Sequence, residues 1–442
     1  MKLILIGFMG AGKTTVGRAL ARTLGLGFVD MDTFILKRTS YESIAQIFEK
    51  HGEAFFRDLE ARAAANLKGR SDIVISCGGG IINKPDALEA LKEGGGTCIY
   101  LHSSFDGLKK RIANFESRPL FQDHEAAAQL YEKRLAEYKR HACYVVDTEG
   151  MNVPQAMIKV LKTLAGAAPK NNLIIGSPVE HSMSPILHGA GYKAIRIDGT
   201  YTFGRQDVKP QELEEFLKNN KDKFNGLSVT MPLKTEIIKH LDYLDNAARE
   251  IGAVNTVLNQ NGKLKGYNTD CYGVRDPLGG ARGVKDKTVA IIGAGGAARA
   301  ALYAVKDAGQ IMLFNRDFEK AKALAAQFNA TAYPLTDIEK VTKADIIINT
   351  TSVGMGALVG ETPVPAQYLR EGQTVFDAVY NPLETRLIKE AKAKGLNVIT
   401  GDKMLLAQAY KQFEILSGFK APKWAMDKAL KKTLEARAAE QK

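Results

Sequence analysis

The sequence predicts an α/β protein built on parallel sheets: a P-loop domain first, then a two-lobed part that ends in a dinucleotide-binding lobe. Three observations carry this reading. Short β-branched runs alternate with amphipathic stretches along the whole chain, the pattern of parallel sheets covered by helices. Two glycine loops follow strand-like runs and open helix-like stretches: Gly7-Phe8-Met9-Gly10-Ala11-Gly12-Lys13-Thr14 and Gly293-Ala294-Gly295-Gly296-Ala297-Ala298. A small, polar, proline-containing segment at 165–172 reads as a linker between two parts.

At 442 residues the chain exceeds one ordinary core, so two or three domains are expected. Strand-like runs at 3–6, 27–29, 73–76, 98–101 and 144–146, closed by a helix at 153–164, make a first domain over 1–164. A new strand at 173–175 opens an α/β block that reaches 284, past a break at Gly279-Gly280-Ala281-Arg282-Gly283. Strands at 289–292, 311–314, 346–349 and 375–377 place the dinucleotide lobe at 285–403. The tail 404–442 has a helical pattern and is expected to pack back on the 173–284 block.

Composition narrows the class. Hydrophobic residues at 45% and charged residues at 25% are ordinary for a soluble globular chain, and no apolar run is long enough to span a bilayer. Met1 to Ile6 leads straight into the first loop, so no signal or transit peptide is expected. Cys77, Cys98, Cys143 and Cys271 are scattered with no Cys-x-x-Cys pair, which reads as reduced thiols in a cytoplasm. The formal charge is +12, yet no basic run is interleaved with stacking aromatics. That argues for anionic small molecules rather than nucleic acid as partners. A monomer or homodimer is expected.

The first loop is a complete P-loop. Glycines let main-chain N–H groups wrap round phosphate oxygens, so Gly10, Ala11, Gly12, Lys13, Thr14 and Thr15 would cradle a nucleotide. Lys13 would reach the outer phosphates and Thr14 would offer its hydroxyl to Mg²⁺. Asp30 and Asp32 follow the next strand, and strand alternation would put both carboxylates on one side of an extended segment. Such a pair suits one water-bridged metal and one acceptor hydroxyl.

Here the chain resembles shikimate kinase over about 1–164. Gly52-Glu53-Ala54-Phe55-Phe56-Arg57 followed by Glu60, then Cys77-Gly78-Gly79-Gly80, Arg118-Pro119-Leu120, and Arg134 with Tyr138 resemble that family's motifs in order. The resemblance implies ATP and Mg²⁺ as cofactors and shikimate as acceptor. Asp32 would hold and deprotonate the 3-hydroxyl, and Asp30 would reach Mg²⁺ through water. Arg57 and Arg134 would clamp the carboxylate, which a planar guanidinium suits. Gly79 and Gly80 would approach the ring, Arg118 would close over the phosphoryl group, and Arg111 would lie near adenine.

The second loop fits Gly-x-Gly-x-x-Ala, with Gly293, Gly295 and Ala298 in the fingerprint places; Ala294, Gly296 and Ala297 complete it. After the next strand, where an acidic residue would bond NAD ribose, the chain has Asn315-Arg316, with Lys320 beyond. A guanidinium there favours the 2′-phosphate of NADP(H), although Asp317 stands beside it.

Residues 171–436 resemble shikimate dehydrogenase. The motifs are Gly176-Ser177-Pro178-Val179-Glu180-His181-Ser182-Met183-Ser184-Pro185, Ser228-Val229-Thr230-Met231-Pro232-Leu233-Lys234, Gly252-Ala253-Val254-Asn255-Thr256, Gly266-Tyr267-Asn268-Thr269-Asp270, Asn349-Thr350-Thr351-Ser352-Val353-Gly354-Met355, and Gly401-Asp402-Lys403-Met404-Leu405 followed by Gln408. The resemblance implies Lys234 and Asp270 as the catalytic pair, and a lysine beside a carboxylate can supply the proton that a reduced ketone needs. Ser182, Ser184 and Tyr380 would bind the carboxylate end; Thr230, Asn255 and Gln408 would hold ring hydroxyls. Thr350, Met355, Gly401 and Met404 would lie along the cofactor. The two resemblances together imply a bifunctional enzyme of aromatic biosynthesis. It would reduce 3-dehydroshikimate with NADPH and phosphorylate shikimate with ATP. Two alternatives are a kinase joined to an NAD-dependent quinate/shikimate dehydrogenase, and a catalytically silent ligand sensor.

Overall fold

The computed structural model describes residues 1–111 and 123–440. The chain forms two compact units, Met1–Ala168 with Ala194–Thr200, and Pro169–Lys193 with Tyr201–Lys442.

In the first unit, β1 (Lys2–Ile6), β2 (Gly27–Asp30), β3 (Ile73–Ser76), β4 (Gly96–His102) and β5 (Tyr144–Asp147) form one sheet in the order β2-β3-β1-β4-β5. Every pairing is parallel. β1 is central and all five of its residues are buried, which is why Leu3 to Ile6 read as an unbroken apolar run rather than an alternating one. The helix Lys13–Leu24 starts at Gly12 and stops at Gly25, both left-handed, and buries one face through Val16, Leu20, Ala21 and Leu24.

Two sheets build the second unit. The first is mixed, in the order β7-β6-β8-β10-β11-β9: β6 (Lys170–Gly176), β7 (Tyr201–Asp207), β8 (Gly226–Val229), β9 (Tyr243–Leu244), β10 (Thr256–Gln260) and β11 (Lys263–Tyr267). The second is wholly parallel, in the order β14-β13-β12-β15-β16-β17: β12 (Thr288–Ile292), β13 (Gln310–Asn315), β14 (Thr331–Pro334), β15 (Ile346–Asn349), β16 (Thr374–Asp377) and β17 (Asn397–Ile399). Strand order reverses between β12 and β15. Doubly wound sheets bind their ligands at the carboxyl ends of the strands at such a switch point, where the second glycine loop begins.

Three expectations change. Helix Val153–Ala165 and β6 both run into the expected linker 165–172, leaving only 166–169 between them. Asp32 does not lie on an extended segment: β2 ends at Asp30, which caps a helix over Met31–Leu36, so Asp32 sits in that helix's first turn. The returning helix begins at Gly401, inside the expected lobe 285–403, because β17 runs into it with Thr400 alone between them. Gly401, Asp402 and Lys403 are small or polar, so the apolar period becomes visible only from Met404. The tail is two helices, Gly401–Ser417 and Lys423–Glu440, separated at left-handed Gly418. The first of them lies against helix Asp270–Arg275 and β10, and the two lobes make one compact unit.

Candidate active sites

The P-loop leaves the carboxyl end of β1 through left-sided φ angles of 148° at Gly7, 81° at Gly10 and 82° at Gly12. A Cβ on Gly7 would stand 2.8 Å from the main-chain oxygen of Leu101, so a side chain has no room there. Lys13 Nζ folds back over the loop and donates to the main-chain oxygens of Gly7 (2.8 Å) and Phe8 (3.0 Å). Thr14 Oγ1 donates to Asp30 Oδ2 at 2.7 Å and lies 3.3 Å from Ser76 Oγ. Hydroxyl and carboxylate oxygens gathered in this way match the hard ligand set of a hydrated Mg²⁺. A cleft of about 710 Å³ runs from the loop, Gly10 to Thr15, past Asp30 and Asp32 to Gly79 and Arg111. Arg111 is tied to Thr148 through the threonine's hydroxyl and main-chain oxygen. Arg118 lies outside the described residues.

Helix Ile44–Leu67 kinks at Gly52, φ 79°. Beyond the kink, Glu53, Arg57 and Glu60 share one face through spacings of four and three. Arg57 donates to Glu53 Oε1 from Nε (3.0 Å) and Nη2 (2.6 Å), and to Glu60 Oε2 from Nη1 (2.5 Å). Burial works against the Arg57 charge, but the two glutamates outweigh it and hold the guanidinium charged. Burial pushes the Glu60 carboxyl up, with Arg57 opposing. Among the described residues these bonds use three of Arg57's five N–H groups. A Cβ on Gly80 would fall inside the Arg57 guanidinium, and one on Gly78 would stand 2.6 Å from Glu60 Oε1 and 3.1 Å from Asp32 Oδ1. The glycine run after β3 is therefore what allows these side chains to gather. Arg134 Nη1 and Tyr138 Oη both donate to the main-chain oxygen of Gly79, and Arg134 Nε is buried with no hydrogen-bond partner among the described residues. A buried donor without an acceptor fits an anionic ligand entering beside Gly79.

In the second unit, Lys234 Nζ donates to Asp270 Oδ2. Asp270 Oδ1 accepts from Asn255 Nδ2 at 2.8 Å, so the carboxylate is held from both sides. A Cβ on Gly296 would lie 3.6 Å from Lys234 Cδ, which puts the lysine stem against the dinucleotide loop. Thr230 follows β8 beside Gly176, where a Cβ would come within 2.7 Å of the Met231 main-chain oxygen. Gln408 Oε1 lies 3.4 Å from Thr269 Oγ1. Ser184 N donates to Ser182 Oγ at 3.3 Å. Two arginines hold consecutive carbonyls of that turn: Arg205 on Ser182 O at 2.7 Å and Arg437 on His181 O at 3.3 Å. Burial pushes the Tyr380 phenol up while Arg437 pulls it back, so one guanidinium faces both Tyr380 and the Ser182 turn.

At the second loop, Gly293 has φ 111°, and a Cβ there would meet Thr350 Oγ1 at 2.8 Å. Thr350 Oγ1 itself donates to Ile292 O at 2.7 Å. Ala294 is buried beneath the turn, Gly295 opens on space with nothing within 4 Å of a Cβ, and Gly296 and Ala297 begin helix Gly296–Ala304. A helix N-terminus opening on space suits a pyrophosphate. Past β13, Asn315 Nδ2 donates to Asp317 O at 2.9 Å, and Asp317 Oδ1 accepts from Lys320 N at 3.0 Å. The Asp317 carboxylate is therefore a helix cap. Arg316 and Lys320 are exposed, with no side-chain partner among the described residues, which fits a 2′-phosphate on the cofactor. Met355 is exposed, Met404 packs partly on the core, and Gly401 meets the Val379 main chain too closely for a Cβ.

The sequence reading gave Glu53, Thr256 and Thr269 no role beyond their motifs, and it missed Ser76 in the first unit and Gln412, Arg205 and Arg437 in the second. The 53–57–60 spacing was a legible signal. Arg205 and Arg437 left none, because only folding brings them to residues 181 and 182.

A P-loop on a parallel sheet and a lysine–carboxylate pair beside a dinucleotide loop define a phosphotransferase domain joined to a two-lobed dehydrogenase. The comparisons agree part by part. Shikimate kinase matches residues 9–165, the shikimate dehydrogenase substrate binding domain matches 174–257, and shikimate / quinate 5-dehydrogenase matches 279–376. The NADP(+) shikimate dehydrogenase of Ignicoccus hospitalis is 39% identical over 251 residues, 57% of this chain and 94% of that protein. The chloroplastic bifunctional 3-dehydroquinate dehydratase/shikimate dehydrogenase of Arabidopsis thaliana is 39% identical over 57% of this chain and 44% of its own length. The crystal structure of Thermus thermophilus shikimate 5-dehydrogenase with NADP(H) and shikimate aligns at TM-score 0.55 and 36% identity, over 60% of this chain and 99% of that one. The chain belongs to the shikimate dehydrogenase family and carries a shikimate kinase domain ahead of it.

Proposed function

We propose that the second unit reduces 3-dehydroshikimate to shikimate with NADPH, and that the first phosphorylates shikimate at its 3-hydroxyl with ATP and Mg²⁺. The observation that carries this is the Lys234–Asp270 pair against Gly296, with a complete P-loop in the same chain. NADPH supplies hydrogen with its electron pair, and Mg-ATP the phosphoryl group. The protein does the rest. Lys234 Nζ holds a proton at the substrate's carbonyl oxygen, and Asp270 keeps that ammonium aimed. The Ser182 turn and Tyr380 take the carboxylate, with Thr230 and Gln408 on ring hydroxyls. In the first unit Asp32 receives the 3-hydroxyl proton, Arg57 and Arg134 orient the carboxylate, and Lys13 offsets phosphate charge. Thr14 and Asp30 would hold the metal, Asp30 through water, and Arg111 would flank the base.

The exposed Arg316 and the helix-capping Asp317 support NADP over NAD. The protein is read as cytoplasmic, a monomer or homodimer; among the described residues no helix is long and apolar enough to cross a membrane. The test is one product assay with 3-dehydroshikimate, NADPH and Mg-ATP. Shikimate 3-phosphate forms only when both nucleotides are present; phosphate ester without NADPH, or none with both, refutes the pairing of activities. Rates on quinate with NAD, measured beside it, decide the alternative dehydrogenase reading.

A further inference from the structure

His188 and Gln412 are fully buried behind the Lys234–Asp270 pair and have no part in the chemistry above. Buried polar side chains are unfavourable unless bonded, so their arrangement has a cause. Gln412 Nε2 lies 3.2 Å from the main-chain oxygen of Asn255 and 2.8 Å from Thr256 Oγ1. A carbonyl only accepts, so this end of the amide is its NH₂, and Gln412 Oε1 faces His188 Nε2 at 3.1 Å. His188 therefore carries its proton on Nε2. Burial among Tyr192, Phe203 and Phe413 pushes its imidazolium down to about 3, so the ring is neutral and has that single donor.

The far end is settled in the same way. The Thr269 main-chain N–H donates to Asn255 Oδ1 at 2.7 Å, so Asn255 Nδ2 must face Asp270 Oδ1. Between them, Thr256 Oγ1 accepts from Gln412 and donates to Asn255 Oδ1 at 2.9 Å. Every bond points one way, from His188 through Gln412, Thr256 and Asn255 to one Asp270 oxygen, while Lys234 holds the other. Asn255 spends both amide hydrogens inside the protein, on Thr269 Oγ1 and Asp270.

We propose that Gln412 and Thr256 are positioning residues for the reduction, with His188 anchoring a one-way hydrogen-bond chain that fixes Asp270, and through it the Lys234 ammonium. Bonds in such a chain polarise one another, so cutting the middle weakens the last link. The inference rests on Lys234 and Asp270 being the reacting pair.

Thr256→Val removes the middle hydroxyl at constant volume, and Gln412→Met removes the amide at similar length. In the full chain each lowers kcat for 3-dehydroshikimate reduction about tenfold, while KM moves less than about twofold. The double variant is no slower than the slower single, because both cut one chain. Thermal melting checks the fold of each sample. Parental kcat in either variant, additive losses, or a rise in KM alone overturns the proposal. Where Gln412→Met does not fold, Thr256→Val decides. Lys234→Ala is run beside them: retained reduction there refutes the reacting pair itself, a different failure from an intact pair that ignores Thr256.

Discussion

Arg316 and Asp317 are chain neighbours with separate tasks. The Asp317 carboxylate closes the N-terminus of helix Phe318–Ala325, whereas Arg316 stands exposed with no side-chain partner among the described residues. Arg316→Ala is expected to raise the KM for NADPH by roughly 10- to 100-fold, the worth of a charge-assisted hydrogen bond, and to leave NADH kinetics near parental. Asp317→Ala is expected to cost about 1 kcal/mol of stability and to leave the NADPH-to-NADH preference within about twofold. A swing in preference with Asp317→Ala, read by steady-state kinetics with both cofactors, would place the choice on the carboxylate instead. The two lysines separate the activities. Lys234→Ala should abolish reduction and spare phosphorylation, and Lys13→Ala the reverse; one assay of each reaction on each variant reads this out.

Helices carry part of each site, and glycines set how closely those helices approach. Helix Asp270–Arg275 brings Asp270, and helix Gly401–Ser417 brings Met404 and Gln408; they meet at Gly273, where a Cβ would stand 2.8 Å from the Met404 main-chain oxygen. A main-chain oxygen has no rotamer to move to. Gly273→Ala should therefore destabilise the second unit by about 1–3 kcal/mol, an overpacking cost. Reduction should fall more than phosphorylation. An unchanged melting temperature with parental reduction would show that the helices separate freely. Helix Ile44–Leu67 illustrates what local reading could reach. The spacing of Glu53, Arg57 and Glu60 was visible, but their mutual pairing depends on the kink at Gly52 and the glycine run that Arg57 leans on.

For the whole molecule, His188 links the site's buried polar chain to acid stability. Its folded-state pKa lies below the unfolded value, so its contribution to stability is complete above pH 6.5 and is lost as pH falls toward 3. Full protonation amounts to about 5 kcal/mol against the fold. His188→Phe keeps the stacking but strands Gln412 Oε1, so it should be less stable than the parent at pH 7.5. That deficit should close as pH drops toward 4, followed by chemical denaturation across the range. A gap that stays constant with pH would mean that His188 does not titrate against folding.

The sequence by itself determined the two nucleotide loops, the strands that carry them and the order of the lobes, since these depend on neighbours in the chain: apolar runs, glycine spacing and helix starts. The resemblance to shikimate dehydrogenase also singled out Lys234 and Asp270 in their motifs. Local information misread Asp32, because the helix beginning at Met31 is announced only by the cap on Asp30. It placed the returning helix late, because polar residues at its start hide its period. Tertiary structure alone decided how Arg57 is shared between two glutamates, which arginines hold the Ser182 turn, and which way the Asn255 amide faces. Those choices are made between residues as much as 256 positions apart, as Arg437 and His181 are. Hydrogen-bond direction is a property of the closed network, settled by the main-chain groups of Asn255 and Thr269, the first of which meets a side chain 157 positions away.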